Sequence, residues 1–218
     1  MAIDFKLYLI TDRKQTKMPL PEAVRRACEG GVKAIQLREK DLPVRELLTL
    51  AQDVRGTTSA FGAKLFINDR VDIAVAVEAD GVHLGRQSMP PQAVRMIESR
   101  TGKRLLIGVS AHTPAEAKDA ENSGADFITY GPLFQTPSKK VFGAPVGLDS
   151  LKKVKNDIKI PMYGLGGIKR GSIKQVVRSG AYGISMISEI FAADDIEAKA
   201  REIVAMAEQQ DTGEGGES

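Results

Sequence analysis

The sequence predicts an α/β fold, a single (β/α)₈ TIM barrel, on three observations. Short β-rich apolar runs recur along the whole chain, and a helix-compatible stretch follows each. Most of these runs are continuously apolar rather than alternating, the pattern of parallel strands covered on both faces. Eight such β-then-α units fit within the chain's 218 residues, a little under the ~250 residues usual for this barrel. A doubly wound sheet would need fewer strands and is the weaker alternative.

The elements follow in order. Strands are expected at Leu7–Thr11, Ala34–Arg38, Lys64–Asn68, Gly81–Leu84, Leu105–Ser110, Phe127–Gly131, Pro161–Gly164 and Gly183–Ser188. The first helix opens at Pro21, and Cys28 lies on its apolar face as a small core residue. The second runs from Val44 to around Ser59 with Leu47, Leu48 and Ala51 on one face. Another contains Ala93 to Ile97, and the next has Thr113 as N-cap with Pro114 at its first helical position. Four phrases lead into strands: Gly30-Gly31-Val32-Lys33-Ala34, Ala79-Asp80-Gly81-Val82, Ser123-Gly124-Ala125-Asp126-Phe127 and Ser179-Gly180-Ala181-Tyr182-Gly183. In each, a glycine is expected to end the preceding helix in a left-handed conformation. The barrel domain is assigned to residues 1–209, and the acidic, Gly-rich residues 210–218 to a disordered tail.

Composition excludes several classes. A hydrophobic fraction of 42% is ordinary for a chain that buries a real core. The net charge of +3, from 31 basic and 28 acidic side chains, is too small to imply nucleic acid or an acidic membrane as partner. The lone Cys28 rules out an intrachain disulfide framework and any Cys-rich metal site. The N-terminal apolar run is short, interrupted by Lys6 and followed by Thr11-Asp12-Arg13, which fits neither a signal peptide nor a spanning helix. The expected compartment is the cytoplasm.

In such a barrel the active site lies at the C-terminal ends of the strands. Those ends carry Thr11-Asp12-Arg13, then Gln36-Leu37-Arg38-Glu39-Lys40, where alternation can aim Gln36, Arg38 and Lys40 the same way. Asn68-Asp69-Arg70, His83-Leu84-Gly85-Arg86 and Ser110-Ala111-His112 come next. A long sixth loop holds Thr136, Ser138, Lys139 and Lys140, and Gly166-Gly167 and Ile187-Ser188 close the series. Basic and amide groups thus converge on one rim, which suits an anion. Gly166-Gly167 and Ser188 stand where barrels bind phosphate through backbone N–H groups. Thr136, Ser138 and Lys139 offer two hydroxyls and a point charge for a second phosphate contact. Asp69 on this basic rim suits a Mg²⁺ bridging protein and diphosphate. Plainer readings stand beside these: a solvated Lys139-Lys140 pair, an Asp69–Arg70 surface ion pair, and a structural, hydrogen-bonded His83. His112 could merely cap or pack, and Asp12 and Arg13 could pair with each other or fasten the rim. Gly164-x-Gly166-Gly167 lacks the last glycine of a dinucleotide fingerprint, since Lys169 stands there.

Taken in order, these residues resemble the thiamine-phosphate synthase and thiazole tautomerase superfamily over roughly Leu7 to Ala207. The likeness rests on Tyr8-Leu9-Ile10-Thr11-Asp12-Arg13, Gln36-Leu37-Arg38-Glu39-Lys40, Asn68-Asp69-Arg70, Gly81-Val82-His83-Leu84-Gly85 and Gly108-Val109-Ser110-Ala111-His112-Thr113. It continues through Gly131-Pro132-Leu133-Phe134, Thr136-Pro137-Ser138-Lys139, Gly166-Gly167-Ile168 and Met186-Ile187-Ser188. The resemblance implies condensation of an aminopyrimidine methyl diphosphate with a thiazole ethyl phosphate, releasing pyrophosphate. On that basis Gln36, Arg38, Lys40, Asn68, Ser110 and Lys139 would hold the pyrimidine diphosphate, Ser110 and Lys139 being catalytic. Asp69 would bind Mg²⁺, and Thr136, Ser138, Gly167, Ile187 and Ser188 would hold the thiazole phosphate. One departure stands out. After Gly85 the synthases usually have Gln-x-Asp, whose Asp is a second Mg²⁺ ligand, whereas this chain has Arg86-Gln87-Ser88. Serine there resembles the tautomerase branch, in which the residue matching His112 is the general acid/base for aromatising the thiazole carboxylate phosphate. The intact Gln36–Lys40 run and Asn68-Asp69 favour the synthase. A non-catalytic thiazole-phosphate binder on the same scaffold is the third reading.

Overall fold

Each apolar run pairs in parallel with the next, and the eighth returns to the first, so the sheet closes as β1-β2-β3-β4-β5-β6-β7-β8. The structure is a computed structural model, which describes residues 3–135 and 145–209. The strands are β1 Leu7–Ile10, β2 Ala34–Leu37, β3 Lys64–Asn68, β4 Gly81–Leu84, β5 Leu106–Ala111, β6 Phe127–Tyr130, β7 Met162–Leu165 and β8 Gly183–Met186. Helices α1 Leu20–Glu29, α2 Val44–Ala60, α3 Val71–Ala76, α4 Pro91–Thr101 and α5 Pro114–Asn122 follow the first five strands. After β6 comes α6 Gly147–Asp157, after β7 α7 Ile173–Arg178, and after β8 both α8 Ser188–Phe191 and α9 Ile196–Glu208. The expected TIM barrel is present. No described helix is long and apolar enough to cross a membrane.

The largest boundary correction is at the eighth strand, which ends at Met186, with Ser188 already opening α8. The second and first strands likewise stop one residue short of the expected Arg38 and Thr11, because the chain there turns to make side-chain contacts across the rim. Thr113 caps α5 as expected, its Oγ1 accepting from the Glu116 N–H at 3.2 Å with Pro114 next in the chain. The glycine rule holds at Gly31, Gly124 and Gly180, all at positive φ. It fails before β4, where Glu78 takes the left-handed position (φ 54°) and Gly81 is a strand residue. Gly81 serves close packing instead: a Cβ there would fall 2.6 Å from the Phe66 ring.

Alternation along the strands divides the core in two. Outward residues such as Leu9, Ile35, Ile67, Val82 and Ile184 pack under the helices in one aliphatic layer. Inward residues Tyr8, Phe66, Phe127 and Tyr163 fill the barrel interior, with Phe5 from the chain before β1 seated among them. Their rings meet mostly edge to face at 5.2–5.9 Å between centroids. Tyr163 donates its hydroxyl to the Phe5 carbonyl at 2.6 Å. This plug fills the lower part of the barrel interior.

Candidate active site

Above the aromatic plug, the inward positions turn polar. Gln36 is buried, and its Nε2 donates to the Tyr8 hydroxyl at 3.2 Å. The Tyr8 hydroxyl lies 3.4 Å from His83 Nδ1, and His83 Nε2 is 2.9 Å from Ser110 Oγ. Thr129, paired with Ser110 in register, donates its hydroxyl to Ser110 Oγ at 3.4 Å. Burial, aided by the positive charge of Arg38, holds the His83 imidazole down at about 3, so it is neutral near pH 7. A neutral imidazole has one donor and one acceptor nitrogen and can link two hydroxyls without a charge. His83 is thus a hydrogen-bonded structural residue between two expected site residues, Gln36 and Ser110.

The charged groups stand higher, at the rim. Partial burial holds the Lys40 ammonium below its ordinary value, reinforced by the charge of Arg38 and opposed by that of Asp69. Those mutual influences bring Arg38, Lys40 and Asp69 into one electrostatic neighbourhood. Asn68 pairs with His83 across β3 and β4. Asp69 adopts a left-handed conformation (φ 65°), held by its N–H donating to the His83 carbonyl at 2.9 Å. Such strain in a non-glycine residue costs on the order of 1–3 kcal/mol and concentrates at functional sites. Among the described residues, the Asp69 carboxylate has no hydrogen bond or ion pair; Arg70 turns away and bridges Asp72 at 2.5 Å. The Asp69–Arg70 pairing is therefore absent.

The departing loop after β4 has its own local use. Ser88 Oγ accepts from the Gly85 N–H at 2.8 Å, so the hydroxyl closes a turn. Arg86 is exposed. Among the described residues, no group of three or more His, Cys, Asp or Glu side chains gathers as a metal cage. Beside Asp69, a groove of about 500 Å³ runs along α3 and α4, lined by Asp69, Arg70, Asp72 and Thr101 together with Val71, Val75, Met89 and Ile97.

On the opposite side of the rim, Leu133 N–H donates to the Leu165 carbonyl and Phe134 N–H to that of Gly166, zipping the start of the sixth loop to the end of β7. Gly167, at φ 68°, lies under Phe134, where a Cβ would sit 2.8 Å from the Phe134 Cβ. Ser188 is exposed at the start of α8, preceded by Ile187. Thr136, Ser138 and Lys139 lie outside the described residues. His112 donates from Nδ1 to the Gly131 carbonyl at 2.5 Å, which leaves Nε2 as its unprotonated nitrogen when neutral. Its own N–H donates to Glu116 at 2.7 Å.

Sequence reasoning passed over three polar participants. Tyr8 and Thr129 were readable from alternation alone, as polar groups on the inward phase of β1 and β6. Glu39 was not: it looks like a solvated acid in a basic run, yet its side chain is 2% exposed. Its carboxylate accepts from Thr11 Oγ1 at 2.6 Å, from the Arg13 N–H at 3.1 and 3.2 Å, and from Arg13 Nη1 at 3.1 Å. Arg13 continues to Asp41 at 2.5 and 2.9 Å. Hydrogen bonding to Arg13 and Lys14 pulls the Asp41 carboxyl far below the usual range. Arg13 therefore fastens the rim, and Asp12 instead accepts from the Lys14 N–H.

With this geometry in place, comparison with known proteins is informative. The family model described as thiamine monophosphate synthase matches residues 7–190. A Geobacter sulfurreducens protein, provisionally described as a thiamine-phosphate synthase, is 49% identical over 94% of this chain and 95% of its own length. The thiamine-phosphate synthase of Moorella thermoacetica is 43% identical over 89% of this chain and 91% of its own. Among solved structures, a thiamine phosphate pyrophosphorylase from Pyrococcus furiosus superimposes with a TM-score of 0.85 at 38% identity, covering 94% of this chain and 96% of that one.

Proposed function

This chain belongs to the thiamine monophosphate synthase family, and from that premise we propose that it is a thiamine-phosphate synthase whose two phosphorylated substrates meet at the C-terminal rim of the barrel. It is a transferase of thiamine biosynthesis. In this reading Gln36, Arg38, Lys40, Asn68, Ser110 and Lys139 hold the pyrimidine diphosphate, while Thr136, Ser138, Gly167, Ile187 and Ser188 hold the thiazole phosphate. The observation that carries it is the convergence of Gln36, Arg38, Lys40, Asp69 and Ser110 at neighbouring strand ends, two cations and one carboxylate included.

The chemistry asks for little more. As the carbon–oxygen bond to pyrophosphate breaks, negative charge collects on the leaving group, and Arg38 and Lys40 would supply the positive charge that offsets it. Gln36 and Ser110, joined through Tyr8 and His83, hold one edge of the pyrimidine in a set orientation. The thiazole nitrogen then forms the new carbon–nitrogen bond, so no protein nucleophile is required. Mg²⁺ is part of the proposal: Asp69 would hold it, and bound there it would neutralise the diphosphate. The Asp69 carboxylate, without a hydrogen bond or ion pair among the described residues, fits this role, because Mg²⁺ commonly takes one or two carboxylates, substrate phosphates and waters. Ser88 stands where the synthases' second carboxylate would be, and its Oγ accepts from the Gly85 N–H.

The test is pyrophosphate release by purified protein given both substrates, first with Mg²⁺ and then with a chelator. Metal-dependent turnover to thiamine phosphate is the expected result. A folded protein that binds thiazole phosphate without such turnover would transfer the assignment to aromatisation at His112, or to ligand binding alone.

A further inference from the structure

We propose that Glu39 is the positioning residue of the pyrimidine-diphosphate subsite: it anchors the turn carrying Arg38 and Lys40 to the loop after β1. The inference rests on the assignment of those two cations to the diphosphate. Arg38 and Lys40 lie beyond the last residue of β2, Leu37, so the sheet does not hold them. A cross-strand chain does. The Arg38 N–H donates to Thr11 Oγ1 at 2.9 Å, the Thr11 hydroxyl in turn donates to Glu39 Oε1 at 2.6 Å, and the Arg13 N–H and guanidinium close on the same carboxylate. Every one of these partners is a donor, which an acceptor-only carboxylate satisfies and an amide cannot. Glu39 is buried between two residues that face the rim, so truncating it frees both neighbours at once. A carboxylate amid substrate-binding cations is a poor choice for binding an anion; held beneath them and saturated with donors, it instead fixes their backbone.

The experiment compares Glu39→Gln and Thr11→Val with Arg38→Ala in steady-state assays that vary each substrate separately. Thr11→Val keeps the side-chain shape and removes only the link between the Arg38 backbone and Glu39, so it serves if Glu39→Gln fails to fold. Both variants are expected to raise KM for the pyrimidine diphosphate by roughly ten- to a hundred-fold, since small misplacements of binding groups cost that much. KM for the thiazole phosphate should stay unchanged. A purely structural role would lower the active fraction and leave both KM values alone, or move them together; either result overturns the proposal. If Arg38→Ala itself leaves the pyrimidine KM unchanged, the subsite assignment falls and the clamp with it. If Arg38→Ala raises that KM while the other two variants do not, the clamp alone is wrong.

Discussion

The lower half of the barrel interior and the rim above it are built from opposite materials on the same strands. Below, Phe5, Phe66, Phe127 and Tyr163 touch ring to ring and are 0–2% exposed. Above, Arg38, Lys40 and Asp69 keep their charges at the surface, and hydrogen bonds replace packing. Between them lies a thin layer, Tyr8, Gln36, His83 and Thr129 with the half-buried Ser110, that is enclosed like the floor and polar like the rim. The floor's stability comes from apolar area and close packing, which are insensitive to pH and substrate. The rim's geometry comes from directional contacts across loops. A change on one side should therefore leave the other nearly untouched.

The strongest way to break this division is Phe127→Ala. Emptying a ring site walled by Phe5, Tyr8, Phe66 and Tyr163 should cost about 3–5 kcal/mol in urea denaturation. KM values of the remaining folded protein should hold, and a large change in either would mean that floor and rim are not separable.

Next comes acid, which reads the middle layer. His83 titrates at about 3 in the folded chain against roughly 6.5 unfolded, so between those values the unfolded state binds the extra proton. Stability should therefore fall as pH drops below about 6.5, by about 2–3 kcal/mol at pH 4.5 from this group alone. Comparing the pH dependence of unfolding with that of His83→Gln isolates its share. Equal slopes would place the imidazole in a wetter setting than its hydrogen bonds suggest.

The smallest stability effect should be at the rim. Arg38→Ala is expected to stay within about 0.5 kcal/mol of the parent, as surface substitutions usually do. Yet the same change should raise the pyrimidine-diphosphate KM, a split that denaturation and steady-state kinetics on one preparation will measure.

Much of this organisation was legible in the residues. Continuously apolar runs before helical stretches announced a closed parallel sheet, because strands covered on both faces have no solvent side to mark. The strand ends in turn pointed to Gln36, Arg38, Lys40, Asn68, Asp69 and Ser110, since a barrel's topology puts every C-terminal end on one face. Even the inward polarity of Tyr8 and Thr129 follows from a period of two. What local pattern could not carry was partnership. Glu39 reads as a solvated charge until Thr11 and Arg13, which sit 28 and 26 positions away, arrive beside it. Arg13 finds Asp41 rather than its neighbour Asp12, and Arg70 takes Asp72 rather than its neighbour Asp69. The sequence by itself determined the barrel and the face on which the basic and amide groups of the strand ends gather, because hydrophobic period and strand direction are local properties. Only the tertiary structure decided which charges are spent on each other and which remain for a substrate, because an ion pair depends on the distance between loops that closure of the sheet brings together.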